Sequence, residues 1–355
     1  YRLIEMKARI NQRPLPEVEV VDMKECLRCG GNAMLSPSLM EALDACLRRG
    51  EQAMLLLNRR GYTPVLRCLS CGEVLKCPHC EVALSYHKQE NCLKCHVCGY
   101  SRMLPGHCPT CGANDWRSLG MGTQRMEEYV QHCFPQARIV RMDADTTRAK
   151  GAHETLLEQF SKEADILLGT QMIAKGLDYA RVTLVGILNA DAMLNRGDYR
   201  CSELTYDLLE QACGRSGRGE RSGRVILQAY DCAHYAVRCA AAHDYEGFFR
   251  REMQFRHLAQ YPPYAYLSAV VLHHRIAQTV REDALAAREV LSGGAFKVLG
   301  PIELGRLRDE CRWRLILKGK DRHEQAAALR RLAQAHRMQK RRSRLEIDVD
   351  LMMLE

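Results

Sequence analysis

The chain has 355 residues, a formal charge of +9 and 46% hydrophobic residues. That length implies two or three domains, and that apolar content is enough to form real cores. No run reaches the roughly 18 apolar residues of a membrane span and no signal peptide opens the chain, so a cytoplasmic protein without a membrane partner is expected. The basic excess suits an anionic ligand but does not identify one. The chain starts at Tyr1, and its opening Tyr-Arg-Leu-Ile-Glu reads as an interior segment, which makes it the expected back part of a longer protein.

In chain order, residues 1–22 read as a connecting segment. Strands are then expected at 53–57, 138–141, 165–168, 183–188 and 224–229, with helices at 125–133, 153–160 and 203–213. Short buried strands joined by helices predict an α/β fold with a parallel sheet covered on both faces. Residues 63–118 break that pattern with Cys, Gly and Pro, and read as an insertion. Beyond 231, a helix over 232–260 is stopped by Tyr261-Pro262-Pro263-Tyr264. A strand at 267–273, a helix at 280–291, strands at 297–300 and 313–317, a helix at 323–336 and a strand at 345–349 follow. This β-α-β-β-α-β order predicts an α+β, split ferredoxin-like domain.

Eight of the 18 cysteines form four Cys-x-x-Cys pairs: Cys68/Cys71, Cys77/Cys80, Cys95/Cys98 and Cys108/Cys111. Each pair places two thiolates on one tight turn, and two such turns complete a tetrahedral Zn²⁺ sphere. A disulfide frame would require a smaller, loop-rich secreted body. Cys92 also forms a permitted pair with Cys95, but Gly99 follows Cys98 as Gly72 follows Cys71 and Gly112 follows Cys111, and glycine permits the left-handed turn beneath a knuckle. Fourteen residues separate Cys80 from Cys95, a usual inner-site span, with the outer pairs closing a second site around it. His79 and His96 could ligate, but eight thiolates already fill two sites. Cys26-x-x-Cys29-Gly30 is a lone pair without a partner.

Gly169-Thr170-Gln171-Met172-Ile173-Ala174-Lys175-Gly176 follows a buried strand, and Gln211-Ala212-Cys213-Gly214-Arg215-Ser216-Gly217-Arg218 ends a helix. The second octamer matches the Gln-x-x-Gly-Arg-x-Gly-Arg pattern of superfamily-2 helicases, in which two arginines reach the nucleotide. The guanidinium suits that task because it is permanently charged and offers a planar fork to phosphate oxygens. Together with Asn58-Arg59-Arg60-Gly61-Tyr62, the knuckles, Gly122-Thr123-Gln124 and Asp143-Ala144-Asp145-Thr146-Thr147, these motifs come in one order that resembles the primosomal replication-restart helicases. Asp244-Tyr245, Tyr261-Pro262-Pro263 and Val298-Leu299-Gly300-Pro301-Ile302 carry the resemblance to nearly the whole chain.

The resemblance implies a RecA-like second helicase lobe (residues 23–62 and 119–230), interrupted by a two-zinc cysteine-knuckle insertion (63–118) and followed by a carboxy-terminal DNA-binding domain (231–355). It implies nested zinc sites, Cys68, Cys71, Cys108 and Cys111 on one ion and Cys77, Cys80, Cys95 and Cys98 on the other. It also implies an ATP- and Mg²⁺-dependent, 3′-to-5′ DNA helicase of stalled forks, expected to be monomeric. Its partners would be forked and single-stranded DNA, other primosome proteins and single-stranded-DNA-binding protein. Gln211, Arg215 and Arg218 would act at the nucleotide, while Gly169, Thr170, Gln171, Lys175 and Gly176 would couple it to DNA. No Gly-x-x-x-x-Gly-Lys-Ser/Thr phosphate loop exists in the 355 residues, so the fragment alone is expected to be inactive. Asp191, after an apolar strand, is a weak candidate for Mg²⁺. Glu210 stands where the family usually has Thr, Leu204 where Arg is common, and Leu351 where Pro is usual. Residues 321–344 hold eight basic against two acidic side chains, and Arg312, Trp313, Arg341 and Arg342 are candidate DNA contacts. A non-catalytic zinc-ribbon nucleic-acid-binding module and an RNA helicase of the same superfamily are the alternatives.

Overall fold

A computed structural model describes residues 15–58, 65–79, 83–87, 90–118, 122–149, 151–174, 179–196, 198–216 and 223–354. The chain enters through strand β1 (Glu17–Asp22), helices α1 (Met23–Arg28) and α2 (Pro37–Arg48), and strand β2 (Gln52–Leu57). The cysteine-rich stretch contributes five three-residue strands, β3 (Leu66–Cys68), β4 (Ser85–His87), β5 (Cys92–Lys94), β6 (Ser101–Met103) and β7 (Trp116–Ser118). Next come α3 (Thr123–Cys133), β8 (Ile139–Met142), α4 (Ala152–Lys162), β9 (Ile166–Gly169), β10 (Val182–Leu188), α5 (Cys201–Cys213) and β11 (Arg224–Ala229). The last third contains α6 (Tyr235–Ala241), α7 (Tyr245–Ala259), β12 (Tyr266–His274), α8 (Ala277–Leu291), β13 (Phe296–Leu307), β14 (Glu310–Gly319), α9 (Arg322–Met338) and β15 (Arg344–Val349). Among the described residues, no helix is long and apolar enough to cross a membrane.

Two compact units result, one of residues 1–60, 121–193 and 204–248, the other of 61–120, 194–203 and 249–355. The first is built on a six-stranded sheet in the order β1-β11-β10-β2-β9-β8, with every recorded pair parallel. β2 and β10 are buried along their whole lengths, as continuous apolar strands must be when helices cover both faces. Its core joins Leu39 and Leu43 of α2 and Met126 of α3 to Leu55, Ile166, Leu168 and Ile226 of the sheet. Gly186 makes that packing possible, because a Cβ there would lie 2.7 Å from Leu55 and 3.0 Å from Leu39. Residues 17–22, expected in a connecting segment, are instead the edge strand, in register from Glu17↔Arg224 to Asp22↔Ala229. Three acidic residues in Glu-Val-Glu-Val-Val-Asp hid it, and Glu19 meets Arg224 at 2.6 Å. The helix expected over 232–260 is two helices, broken where His243 takes a left-handed φ of 52°.

In the second unit, the carboxy-terminal sheet runs β13-β14-β12-β15, antiparallel throughout, which is the split ferredoxin-like order. α8 and α9 cover one face through Val280, Ala284, Leu329 and Leu332 against Val270, Leu272, Leu315 and Leu317. The cysteine-rich strands share a second core with the sheet, in which Leu75, Leu84, Leu93 and Val97 meet Leu267, Ala269, Ile316 and Leu354. Arg314 donates to the His96 carbonyl at 2.7 Å across the same junction. Residues 194–203 also belong to this unit. Tyr199 stacks on Tyr261 with centroids 5.1 Å apart, and Arg256 bridges Glu203 and Glu252 at 2.6 Å each.

Leu43 is fully buried, whereas Leu258 is 83% exposed. Leu43→Ala is expected to cost about 2–5 kcal/mol and Leu258→Ala within about 0.5 kcal/mol. Urea unfolding followed by far-ultraviolet circular dichroism checks the contrast, and equal midpoints would refute it.

Candidate metal centres and motor motifs

The Sγ atoms of Cys68, Cys71, Cys108 and Cys111 all lie within 4.8 Å of one another, with Cys68–Cys111 and Cys71–Cys108 at 3.6 Å. The β3–β7 ladder, which pairs Cys68 with Trp116, closes the long insertion at its base and brings the outer pairs together. Cys77, Cys95 and Cys98 form the second group, with Cys77–Cys98 at 3.6 Å. Cys80 lies outside the described residues. A tetrahedral ion with Zn–S bonds of about 2.3 Å spaces its sulfurs about 3.8 Å apart, so both groups fit zinc.

The turns beneath the sulfurs have the geometry that glycine was expected to supply. Gly72 donates to the Cys68 carbonyl at 2.8 Å, Gly99 to Cys95 at 3.0 Å and Gly112 to Cys108 at 2.8 Å. All three have φ between 74° and 81°. The Cys26/Cys29 pair is built differently. Gly31 donates to the Cys26 carbonyl and Gly30 to Leu27, a Schellman cap on the end of α1 and not a knuckle. Cys92 points its thiol at Glu90 (3.5 Å) and stands outside both sulfur groups. Neither histidine enters the sulfur groups: His96 faces His87, Nε2 to Nε2 at 3.4 Å, and His79 sits edge-on to Tyr100.

Two of the outer thiols are pulled in opposite directions. Burial pushes Cys71 up to about 12. Burial acts upward on Cys108 too, but the N–H groups of Cys111 and Thr110 and the neighbouring thiols bring it down to about 7. A divalent cation removes this conflict by taking every sulfur as thiolate, with release of the remaining protons.

In the first unit, the Gly-Thr-Gln loop leaves the carboxy-terminal end of β9, where open α/β sheets gather their ligands. The arginine loop instead follows α5, and the Ser216 hydroxyl donates to the Thr183 carbonyl at the start of β10 at 2.8 Å. Gly169 closes β9, and only glycine fits because a Cβ would lie 2.5 Å from the Met142 carbonyl. Thr170 donates to that carbonyl at 3.3 Å, and buried Gln171 reaches the Met193 sulfur. Arg215 directs its Nε to the Ala174 carbonyl at 3.0 Å, joining the arginine loop to the Gly-Thr-Gln loop. Gln211 is exposed on the last turn of α5. Lys175, Gly176 and Arg218 lie outside the described residues. Asp143 is capped by Thr123 and by the N–H groups of Asp145 and Thr146. Burial works against ionisation, but these bonds, with Arg141 beside it, hold its carboxyl below the usual carboxylate range. Asp191 is 1% exposed, and its two oxygens accept from Tyr230 and Asp231 N–H at 3.2 Å, which binds it to the end of β11.

The candidate DNA contacts are dispersed in the second unit. Trp313 is half-buried against the α8–α9 core, and Arg312 donates to the Gly305 carbonyl at 3.0 Å. Arg341 reaches buried Asp283 at 3.2 Å, while Arg342 is exposed. The sequence did not single out a cleft of about 760 Å³ in this unit. Lys297, Lys318, Lys320, His79 and Tyr261 are among its lining residues, and none of the lining residues is acidic. Its lysines are spread over 24 residues, so no local charge run announces them.

Comparison with known proteins gives three family matches: "Helicase conserved C-terminal domain" over residues 118–220, "PriA DNA helicase Cys-rich region (CRR) domain" over 77–102 and "Primosomal protein N C-terminal domain" over 257–352. The Replication restart protein PriA of Bacillus subtilis (strain 168) is 42% identical over 99% of this chain and 44% of its own length. That of Synechocystis sp. is 39% identical over 89% of this chain and 39% of its own length. The chain thus spans less than half the length of these relatives. A solved structure of RecG bound to a three-way DNA junction overlaps 69% of this chain and 22% of its own at 14% identity, with a TM-score of 0.37, too loose an overlap to carry an argument.

Two zinc ions per chain are expected by elemental analysis of the reduced protein, and one each after Cys71→Ser and Cys95→Ser. Because thiolate is the ligand, affinity should fall as pH falls and binding should release protons. Full zinc content in either variant would contradict the grouping.

Proposed function

Because this chain belongs to the PriA family of replication restart proteins, we propose that it supplies the second motor lobe, zinc module and carboxy-terminal DNA-binding domain of an ATP-driven, 3′-to-5′ DNA helicase. The reaction is ATP hydrolysis coupled to strand separation at stalled forks, with Mg²⁺ held by the lobe that carries the phosphate loop. The observation that carries this reading is the Arg215–Ala174 bond, which couples the loop after β9 to the arginine loop after α5. A loop arginine so anchored can present its neighbours to a γ-phosphate across a lobe interface, and Arg218, three residues on, is the residue assigned to transition-state charge. Forked and single-stranded DNA are the proposed substrates, other primosome proteins and single-stranded-DNA-binding protein the proposed partners, and the cytoplasm the proposed location of a monomer.

The eight cysteines, Cys80 included, are assigned to two structural Zn²⁺ ions that order the second unit. DNA binding is assigned to the exposed basic residues of α9 and the turn after it, and to the lysine-lined cleft. Arg341 is a poor probe of that surface because its removal also takes one of the partners of buried Asp283, which would keep only Ser343, so the exposed pair Arg331 and Arg342 is preferred.

The isolated chain is expected to show no DNA-stimulated ATP hydrolysis. Joined to the first lobe it should turn over ATP, and Arg218→Ala should then lower the rate about 10³-fold. Turnover by the isolated chain, or an unaffected Arg218→Ala enzyme, would refute the assignment. For DNA, Arg331→Glu with Arg342→Glu should weaken binding to all sequences alike and flatten the salt dependence, each lost phosphate contact removing about 0.7–0.9 from the slope. Unchanged fork binding, or a preference for matched RNA forks, would contradict the DNA-binding surface.

A further inference from the structure

His243 ends the turn after α6 and packs into the first unit with its side chain only 12% exposed. Its Nδ1 lies 3.2 and 3.3 Å from the two carboxylate oxygens of Glu210, and its Nε2 lies 3.3 Å from the Pro16 carbonyl just before β1. Both ring nitrogens therefore face acceptors. A neutral imidazole can donate to one of them only, whereas the imidazolium donates to both. Glu210 immediately precedes Gln211 in the last turn of α5, and that turn contains no basic residue. A carboxylate at that end opposes the helix dipole, and a hydrogen-bond donor held against it offsets that. The Tyr206 hydroxyl, one turn back, donates to the same carboxylate at 3.4 Å.

We propose that His243 and Glu210 are positioning residues for the arginine loop. The hydrogen-bonded pair ties the end of α5 to the turn after α6 and to the residue before β1, and so sets where α5 delivers Gln211 and Arg215. Neither residue touches nucleotide. The proposal rests on the motor reading given above and goes beyond it, because that reading assigns no role to His243 and treats Glu210 only as a departure from the usual threonine.

The experiment uses the full-length protein containing this chain, with saturating forked DNA, and compares His243→Gln, Glu210→Gln and the double variant. Each single variant should lower kcat about 10-fold with the KM for ATP within about twofold, since misplacing a catalytic group acts on the transition state. Affinity for ADP with aluminium fluoride, which mimics the transferring phosphoryl group, should fall by a similar factor while affinity for ADP alone is kept. The double variant should be no worse than either single one, because the two residues act as one unit. Unchanged kcat, additive losses, or equal losses for ADP and its aluminium-fluoride complex would overturn the proposal. A wild-type protein without DNA-stimulated turnover would overturn the motor reading itself, and the proposal with it.

Discussion

Cys77 and Cys95 are each 1% exposed inside an apolar core, and charged sulfur in such surroundings is tolerable only beside a neutralising cation. Much of the second unit depends on that constraint. The same core contains Tyr199 and Tyr261, Leu267 and Ile316 of the carboxy-terminal sheet, and Leu351 and Leu354 of the final residues. Three-residue strands have too little area to bury a core of their own, so the cysteine module gains stability from metal and from the sheet together. On the zinc assignment, the ion's binding energy is folding energy for the whole unit, not only for the turns that hold it.

The first unit solves a different problem. A parallel sheet places like ends of its strands on one side, and the chain must bring a loop from the end of β9 to a loop that follows α5, both with exact backbone placement. Gly169 lets the chain pass beside the Met142 carbonyl, and Arg215 fastens one loop to the other through Ala174. Permanent charge makes arginine suited to meeting a phosphate and equally suited to holding a carbonyl while no phosphate is near. The His243–Glu210 pair fits the same logic, since a loop that must act at a fixed distance is best set by a rigid helix end.

Continuous apolar runs made β2, β10 and β11 legible in the sequence, and spacing with trailing glycines made the knuckles legible. Other features carried no local signal. β1 alternates acid and valine because it is a half-buried edge, and the break at His243 has neither glycine nor proline to mark it. Sequence cannot tell whether a tryptophan among arginines offers its face or packs inward, and Trp313 packs against the α8–α9 core. The Cys26/Cys29 pair shares its spacing with the knuckles, and only the hydrogen bonds of Gly30 and Gly31 show it to be a helix cap. The shared core and the Glu203–Arg256 bridge join residues far apart in the chain, which no periodicity encodes.

The account's central claim is that metal and fold are one equilibrium in the second unit. Both tryptophans, Trp116 and Trp313, belong to that unit, one in the cysteine module and one in the carboxy-terminal sheet. Titrating the reduced protein with a zinc chelator while following tryptophan emission and far-ultraviolet circular dichroism therefore tests it directly. The account predicts a red shift that tracks zinc release, reversed on adding zinc back, while the helical signal of the first unit persists. Complete removal of zinc with no change in emission would contradict it.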